Sequence, residues 1–295
     1  MKINAKLVGA AMGALGMVAA SGAAQAGSIL APGISTGLAL GAPLPEGLFD
    51  VSILTWGSRS TTPATDLGAA APAWLIWSTP WTVLGGRILF DVVTPVAHVA
   101  IGGPIGKSLV NASGMLDPLV DVMWKWNLGN GWNFGVQEGV YLPVNNGFTG
   151  LGVTAANNFA TSQTVVAVSY LKDGWNLTAT GIYGSGQNGR ALAVNGSPAW
   201  FNYDLTAMKA FGKWEFGLIG YGSADVSAPY ARYAKQSQFA LGGIVAYHFG
   251  GIEVQLKYSH DVSQTNYGGY DSRVWTTFIV PLWVPEAPKA VAAKY

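Results

Sequence analysis

Apolar and polar side chains alternate residue by residue along much of this chain. In the run from Ile252 to Tyr258, apolar residues occupy the even positions, and Glu253, Gln255 and Lys257 occupy the odd ones. Because successive side chains of a β-strand point to opposite faces, this period of two predicts strands with one apolar face and one polar face.

Glycine, asparagine and aspartate divide the alternating segments into twelve predicted strands. We place them near residues 48–56, 73–84, 87–101, 118–128, 131–142, 162–171, 175–185, 200–211, 213–223, 237–249, 252–262 and 273–283. The predicted connections alternate between tight turns, such as 85–86 and 250–251, and long segments, such as 57–72 and 102–117. An even strand number with this alternation is typical of outer-membrane β-barrels.

The composition decides which face meets the surroundings. Only 11% of the residues are charged, whereas about 25% is usual for soluble domains. So few charges cannot cover a water-exposed surface, which disfavours a secreted β-sandwich with a buried core. We therefore predict an all-β fold, a transmembrane antiparallel β-barrel of about 12 strands, with short periplasmic turns and long extracellular loops. The net charge of +1 and the absence of a basic cluster argue against a nucleic-acid partner.

The beginning of the chain has the pattern of a secretory signal peptide. Lys2 and Lys6 precede an apolar stretch, and Ala24-Gln25-Ala26 forms a small-residue cleavage site. The following segment is apolar and contains several prolines, and both a linker and a lumen plug remain open for it. The predicted organisation is a signal peptide (1–26), an N-terminal segment that forms a lumen plug or a linker (27–47), a transmembrane barrel (48–284) and a C-terminal tail (285–295).

The apolar faces of the predicted strands are expected to contact lipid. In the first strand this face carries Phe49, Val51 and Ile53, which leaves Asp50 on the side of the lumen. Tryptophan and tyrosine near the strand ends are expected to form interfacial girdles.

Nearly all charged residues of the predicted strands fall on the opposite, lumen-facing sides. The candidate lumen-lining residues are Arg87, Asp91, Asp121, Lys125, Asp204, Glu215, Glu253 and Lys257. Pairs such as Asp121 with Lys125, and Glu253 with Lys257, are predicted to hold the wall together, with cross-strand neighbours as alternative partners. Glu138 is the exception because it falls on an outward face, and a β-bulge would turn it inward.

The chain has little that points to catalysis. It has no cysteine and three histidines, and no His/Asp cluster has metal-ligand spacing. Ser259-His260-Asp261 brings three suitable residue types together, but neighbours in a strand point to opposite faces. We therefore predict no enzyme, cofactor or metal, and an outer-membrane lipid hydrolase built around His260 remains an alternative.

Several stretches resemble a known family of outer-membrane proteins associated with the meta-cleavage pathway of phenol degradation. They are Leu44-Pro45-Glu46-Gly47, Leu116-Asp117-Pro118-Leu119-Val120, Gly139-Val140-Tyr141-Leu142-Pro143, Phe201-Asn202-Tyr203-Asp204 and Leu241-Gly242-Gly243-Ile244-Val245-Ala246-Tyr247. The resemblance extends from about residue 44 to residue 283. The chain departs from the family at Pro143-Val144-Asn145, where Pro-Thr-Gly is more frequent. The resemblance implies a transporter-like barrel for hydrophobic, often aromatic, compounds, and it assigns no catalytic residues.

The predicted long connections are poor in charge and rich in small or apolar residues, which suits apolar solutes better than sugars or ions. The sequence thus predicts a channel in the cell outer membrane for passive uptake of small hydrophobic, including aromatic, compounds. Its expected partners are outer-membrane lipids and the solute, and the expected state is a monomer or weak oligomer. A structural or adhesive barrel without transport is the further alternative.

Overall fold

The computed structural model describes residues 28–61, 64–101, 110–143, 147–148, 153–154, 160–186 and 197–285. The predicted signal peptide lies outside these residues, as does the predicted tail after Pro285. No helix among them is long and apolar enough to cross a membrane.

The described residues form 17 β-strands. They are β1 (Gly47–Arg59), β2 (Thr65–Ala71), β3 (Trp74–Val83), β4 (Gly86–Val93), β5 (Val96–Ile101), β6 (Val110–Met115), β7 (Leu119–Gly129), β8 (Trp132–Tyr141), β9 (Gly147–Phe148), β10 (Val153–Thr154), β11 (Thr161–Lys172), β12 (Trp175–Gly184), β13 (Trp200–Phe211), β14 (Trp214–Asp225), β15 (Ser237–Phe249), β16 (Ile252–Thr265) and β17 (Asp271–Trp283).

Twelve of these strands close into an antiparallel barrel. The ring runs in the order β1, β3, β4, β7, β8 and β11 to β17, and β17 pairs with β1 from Trp283 opposite Leu48 to Asp271 opposite Arg59. The predicted twelve-stranded transmembrane barrel fold is confirmed. Tight turns join β3 to β4, β7 to β8 and β15 to β16 at one end, and the longer connections lie at the other.

The barrel wall continues beyond this ring as a three-strand extension, formed by β2, β5 and β6. The first part of β1 pairs with β3, and the later part of β1 pairs with β2. From there β2 pairs with β5, and β5 pairs with β6. The extension corrects the sequence prediction, because residues 57–72 and 102–117 were expected to be loops. Pro72, Pro95 and Pro118 separate the extension from β3, β4 and β7. Since proline cannot donate a ladder hydrogen bond, the strands break there, and the sequence pattern resembles that of a loop.

Burial alternates along the strands as expected for a lipid-embedded barrel. In β7, Asp121, Met123 and Lys125 are buried, whereas Val120 and Val122 are exposed on the outer face. Outward aromatic side chains form clusters at the tight-turn end. Apolar side chains on the outside and polar ones inside are the inverse of a soluble barrel, and they place the outer face in lipid.

The first strand is turned the other way from the prediction. Phe49, Val51 and Ile53 are at most 7% exposed and face the interior, so Asp50 lies on the outer side, where it accepts a hydrogen bond from Ser52. Alternation alone does not say which face points inward, and here the interior offers an apolar partner.

That partner is the stretch from residue 28 to residue 46, which lies inside the barrel and is called the interior segment below. Ile29, Leu30 and Ile34 pack against the same hydrophobic cluster as the inward face of β1. Its backbone folds into successive turns, with bonds such as Ile34 N to Ala31 O at 3.1 Å. Gly33 adopts a φ of 88°, a left-handed conformation that favours glycine.

No β-bulge turns Glu138 inward. Its strand keeps regular register with β7 and β11 at this position, and its exposed carboxylate accepts a hydrogen bond from Thr164 Oγ1 at 2.6 Å. It therefore remains on the outer face, where the simple alternation puts it.

Candidate functional site: the barrel lumen

The interior segment is fastened to the lumen face of β13. Asp204 accepts three hydrogen bonds from it, from Gly33 N at 2.9 Å, Ser35 N at 2.9 Å and Ser35 Oγ at 2.7 Å. Two residues farther along, Thr206 Oγ1 accepts from Gly37 N at 2.8 Å. Because alternate residues of a strand share a face, β13 offers its acceptors in a row, and the turns of the segment match that row.

The opposite wall supplies donors to the same turns. Lys257 Nζ donates to Thr36 O at 2.8 Å, and Gln255 Nε2 donates to Gly37 O at 3.2 Å. The predicted pairing of Glu253 with Lys257 is therefore wrong, because Lys257 binds the segment and Glu253 accepts from Gln255 at 2.8 Å. Both Asp204 and Lys257 are at most 2% exposed, so their charges act away from bulk water.

A second polar group lies on the lumen face of β4 and β7. Asp91 and Asp121 stand directly opposite each other across the two strands. Trp74 Nε1 donates to Asp91 Oδ2 at 2.6 Å, and Gln137 Nε2 donates to Asp121 Oδ2 at 2.8 Å. Lys125 is buried on the same face, but it forms no direct salt bridge with Asp121 among the described residues.

The two remaining predicted residues lie toward the tight-turn end. Arg87 Nη1 donates to Thr79 O at 2.8 Å, and Glu215 Oε1 is hydrogen-bonded to His248 Nε2 at 2.7 Å. Both contacts stay within the barrel wall. Sequence reasoning thus chose inward charged residues, and the structure divides them between holding the interior segment and joining neighbouring strands.

An ion cluster near the opposite end was missed by the sequence reasoning. Asp271 binds Arg59 through both carboxylate oxygens, at 2.6 and 3.0 Å, and also receives Arg273 Nη2 at 2.7 Å. Arg59 lies over the ring of Tyr267, 3.8 Å from its centroid. Burial raises the pKa of Tyr267 well above its ordinary value, so the ring stays a neutral phenol. The predicted alternation of β1 would have put Arg59 on the lipid face with Phe49, Val51 and Ile53, and an arginine on that face was the signal that the face points inward.

A cavity of about 100 Å³ opens between the interior segment and the wall. Its walls are largely apolar, and Thr55, Asp117, Tyr141 and Arg273 bring polar groups to it. The larger apolar side chains that line it are Ile29, Leu30, Ile34, Ile53, Leu67, Val93, Leu116, Leu119 and Trp275. An apolar cavity with a few convergent polar groups is the usual form of a small-molecule site.

A groove on the outer face lies behind the same part of the wall. Cavity and groove share the residues of β1, β2 and β5 that separate them, namely Thr55, Gly68, Ala69, Ala70, Ala97 and His98. In the groove the Trp56 ring stacks on His98 at 5.9 Å, across Gly68. A Cβ at Gly68 would lie 2.6 Å from the Trp56 ring, so the glycine is required for this contact. One layer of mostly small residues therefore divides the lumen from lipid here.

The family model described as "Putative MetA-pathway of phenol degradation" matches residues 57–278. The chain belongs to this family. The match covers the barrel from the end of β1 into β17, and it confirms the resemblance seen in the sequence. No curated protein matches the chain.

One solved structure supports the fold assigned to this member of the MetA-pathway family. The COG4313 outer membrane channel from Pseudomonas putida F1 superposes with a TM-score of 0.62 at 12% identity, covering 85% of this chain and 98% of that one. The translocator domain of the autotransporter NalP from Neisseria meningitidis gives a TM-score of 0.46 at 10% identity, over 80% of this chain and 88% of that one. At 12% identity, the likeness to the COG4313 channel shows the barrel fold.

The catalytic alternative for this MetA-pathway family member rests on His260. Ser259 faces inward and bonds with Tyr221 at 2.9 Å and Trp275 at 3.2 Å, whereas His260 is exposed on the outer face beside Ser272. The sequence neighbours thus point to opposite faces, as strand geometry predicts. Ser259 is not positioned as a nucleophile for His260.

Proposed function

We propose that the protein is an outer-membrane channel for passive uptake of small hydrophobic compounds, monoaromatic compounds among them. The observation that carries this proposal is the apolar cavity. Each Å² of apolar surface that a solute buries there gains about 25 cal/mol. A sugar would lose its hydrogen bonds to water against the same walls, at a cost of several kcal/mol.

Placement in the outer membrane follows from the closed barrel with an apolar outer face, because only a barrel without edges satisfies all backbone groups in lipid. Membrane lipids are then its surroundings, and a closed barrel needs no second copy to complete its wall. Membership of a family named for phenol degradation supports aromatic solutes.

The route we propose leads from the long-connection end into the cavity and then sideways. The interior segment occupies the lumen between the cavity and the tight-turn end, where its backbone binds Ser169 and Ser78 as well. Beside the cavity, the wall is the three-strand extension, which is offset from the barrel at three prolines. Movement of this extension would let a solute pass from the cavity into the outer groove.

The first experiment compares uptake of labelled toluene and of a labelled sugar of similar size in cells with and without the chain. Faster entry of toluene alone supports the proposal. Equal acceleration of both would indicate a general pore, and no change in either would favour a structural or enzymatic barrel.

A matched pair of variants tests the site within that assay. Ala69→Phe fills the cavity beside Thr55, to which Ala69 is paired, and it should return toluene entry to the rate of cells without the chain. Ala207→Phe places the same side chain on the exposed outer face of β13, and it should leave toluene entry unchanged. Equal rates in the two variants would contradict a route through the cavity.

A further inference from the structure

The guanidinium of Arg273 uses few of its donors. It is 4% exposed, and within the part of the chain that the structure describes it donates one hydrogen bond, from Nη2 to Asp271. Arg59 already engages both oxygens of that carboxylate. A guanidinium has five N–H donors, and a buried one is costly unless they find acceptors. Arg273 lines the cavity, so its remaining donors favour an acceptor that enters there.

Thr55 is a second under-used group on the wall of the same cavity. Its Oγ1 is buried and has no hydrogen-bond partner in the described ranges. Thr55 stands opposite Trp275 in the sheet, and Gly57, two residues along, stands opposite Arg273. Because a Cβ at Gly57 would lie 2.6 Å from Arg273 Cγ, this glycine gives the arginine room beside β1. Arg273 and Thr55 are thus neighbours on one inward face.

The rest of the cavity fits an aromatic ring. Trp275 provides an aromatic wall, and Ile53, Leu67 and Val93 provide aliphatic ones. A cavity needs a volume of at least about 10–15 Å³ to hold one water molecule, and an engineered apolar cavity of about 150 Å³ holds benzene. The cavity of about 100 Å³ is therefore of the size of one small ring.

The charges around the cavity favour a neutral head group. Arg273 donates to Asp271, whose backbone N–H donates to the carboxylate of Asp261, and Asp117 is a third buried carboxylate, on the cavity wall. A fourth carboxylate would be repelled. An uncharged hydroxyl can accept from Arg273 and donate to Thr55 with one oxygen atom.

We propose that the cavity is a subsite for a small aromatic compound with a neutral hydroxyl group, and that Arg273 and Thr55 select the hydroxyl. This deepens the proposed function, on which it rests, by distinguishing hydroxylated rings from plain aromatic hydrocarbons.

The test is equilibrium dialysis of labelled phenol, toluene and benzoate against the protein in lipid nanodiscs, with binding to empty nanodiscs subtracted. Phenol should bind most tightly. Thr55→Val should weaken phenol about fivefold, as loss of one neutral hydrogen bond does, and Arg273→Met should weaken it at least tenfold, with toluene unchanged in both. Thr277→Val is the matched control, because Thr277 Oγ1 is also buried without a partner in the described part of the chain, but Thr277 does not line the cavity.

Equal phenol affinity in Thr55→Val and Thr277→Val would overturn the proposal, as would tighter binding of benzoate than of phenol. If Arg273→Met does not fold, the comparison of Thr55→Val with Thr277→Val tests the proposal by itself. Uptake of aromatics that does not depend on Thr55 would refute the subsite and leave the channel standing. Selective binding of phenol without any uptake would support the subsite and refute the channel.

Discussion

The hydrogen bonds between Asp204 and the interior segment lead to the sharpest prediction. Asp204→Asn keeps the size of the side chain but replaces one acceptor oxygen with an amide that donates. The carboxylate now accepts from Gly33 N, Ser35 N and Ser35 Oγ. The amide retains one acceptor oxygen, and its NH₂ group faces the backbone N–H of Gly33 or of Ser35, which cannot accept a hydrogen bond from it.

The magnitude follows from the bonds that are lost. A hydrogen bond to a charged group contributes about 1.5–3 kcal/mol. Some compensation comes from the lower cost of burying a neutral amide. We therefore expect local opening of the segment to become easier by about 2–4 kcal/mol, which is roughly 30- to 700-fold in the opening equilibrium.

Hydrogen exchange in nanodiscs measures this opening directly, because Gly33 and Ser35 are themselves the donors to Asp204. Their amides should exchange faster in Asp204→Asn by the stated factor, with barrel amides such as that of Ile219 unchanged. Ion conductance in planar bilayers should rise as the segment leaves the lumen more often.

Glu215→Gln is the control, because Glu215 is also an inward acid in the barrel wall, but its partner is His248. It should leave exchange in the segment unchanged. Unaltered exchange at Gly33 and Ser35 in Asp204→Asn would refute the reasoning, as would an equal change in both variants.

Two further predictions concern the lumen. Lys257→Met removes the single bond to Thr36 O, so the amides of residues 36–38 should exchange about tenfold faster, less than in Asp204→Asn, and an equal or larger effect would contradict this ordering. Gly139→Ala places a Cβ against the carboxylate of Asp121, so it should destabilise the barrel by about 1–3 kcal/mol in urea unfolding. Gly243→Ala, whose Cβ would meet no atom nearer than 3.9 Å, should lie within about 0.5 kcal/mol of the unmodified protein.

The sequence by itself determined the twelve strands of the closed barrel, but not the three-strand extension. Period-two alternation needs no knowledge of distant contacts, since it records that the two faces of a strand meet different surroundings. It also placed Asp91, Asp121, Asp204 and Lys257 on inward faces, where the structure has them buried.

The tertiary structure alone decided what those inward residues do. Asp204 and Lys257 bind turns that lie 169 and 221 residues away in the sequence, and no pattern within a strand records such a partner. The same segment explains the reversed face of β1, because Phe49, Val51 and Ile53 found an apolar surface inside the barrel. Alternation shows that the two faces of a strand differ. Which face points inward depends on the surface that each face packs against.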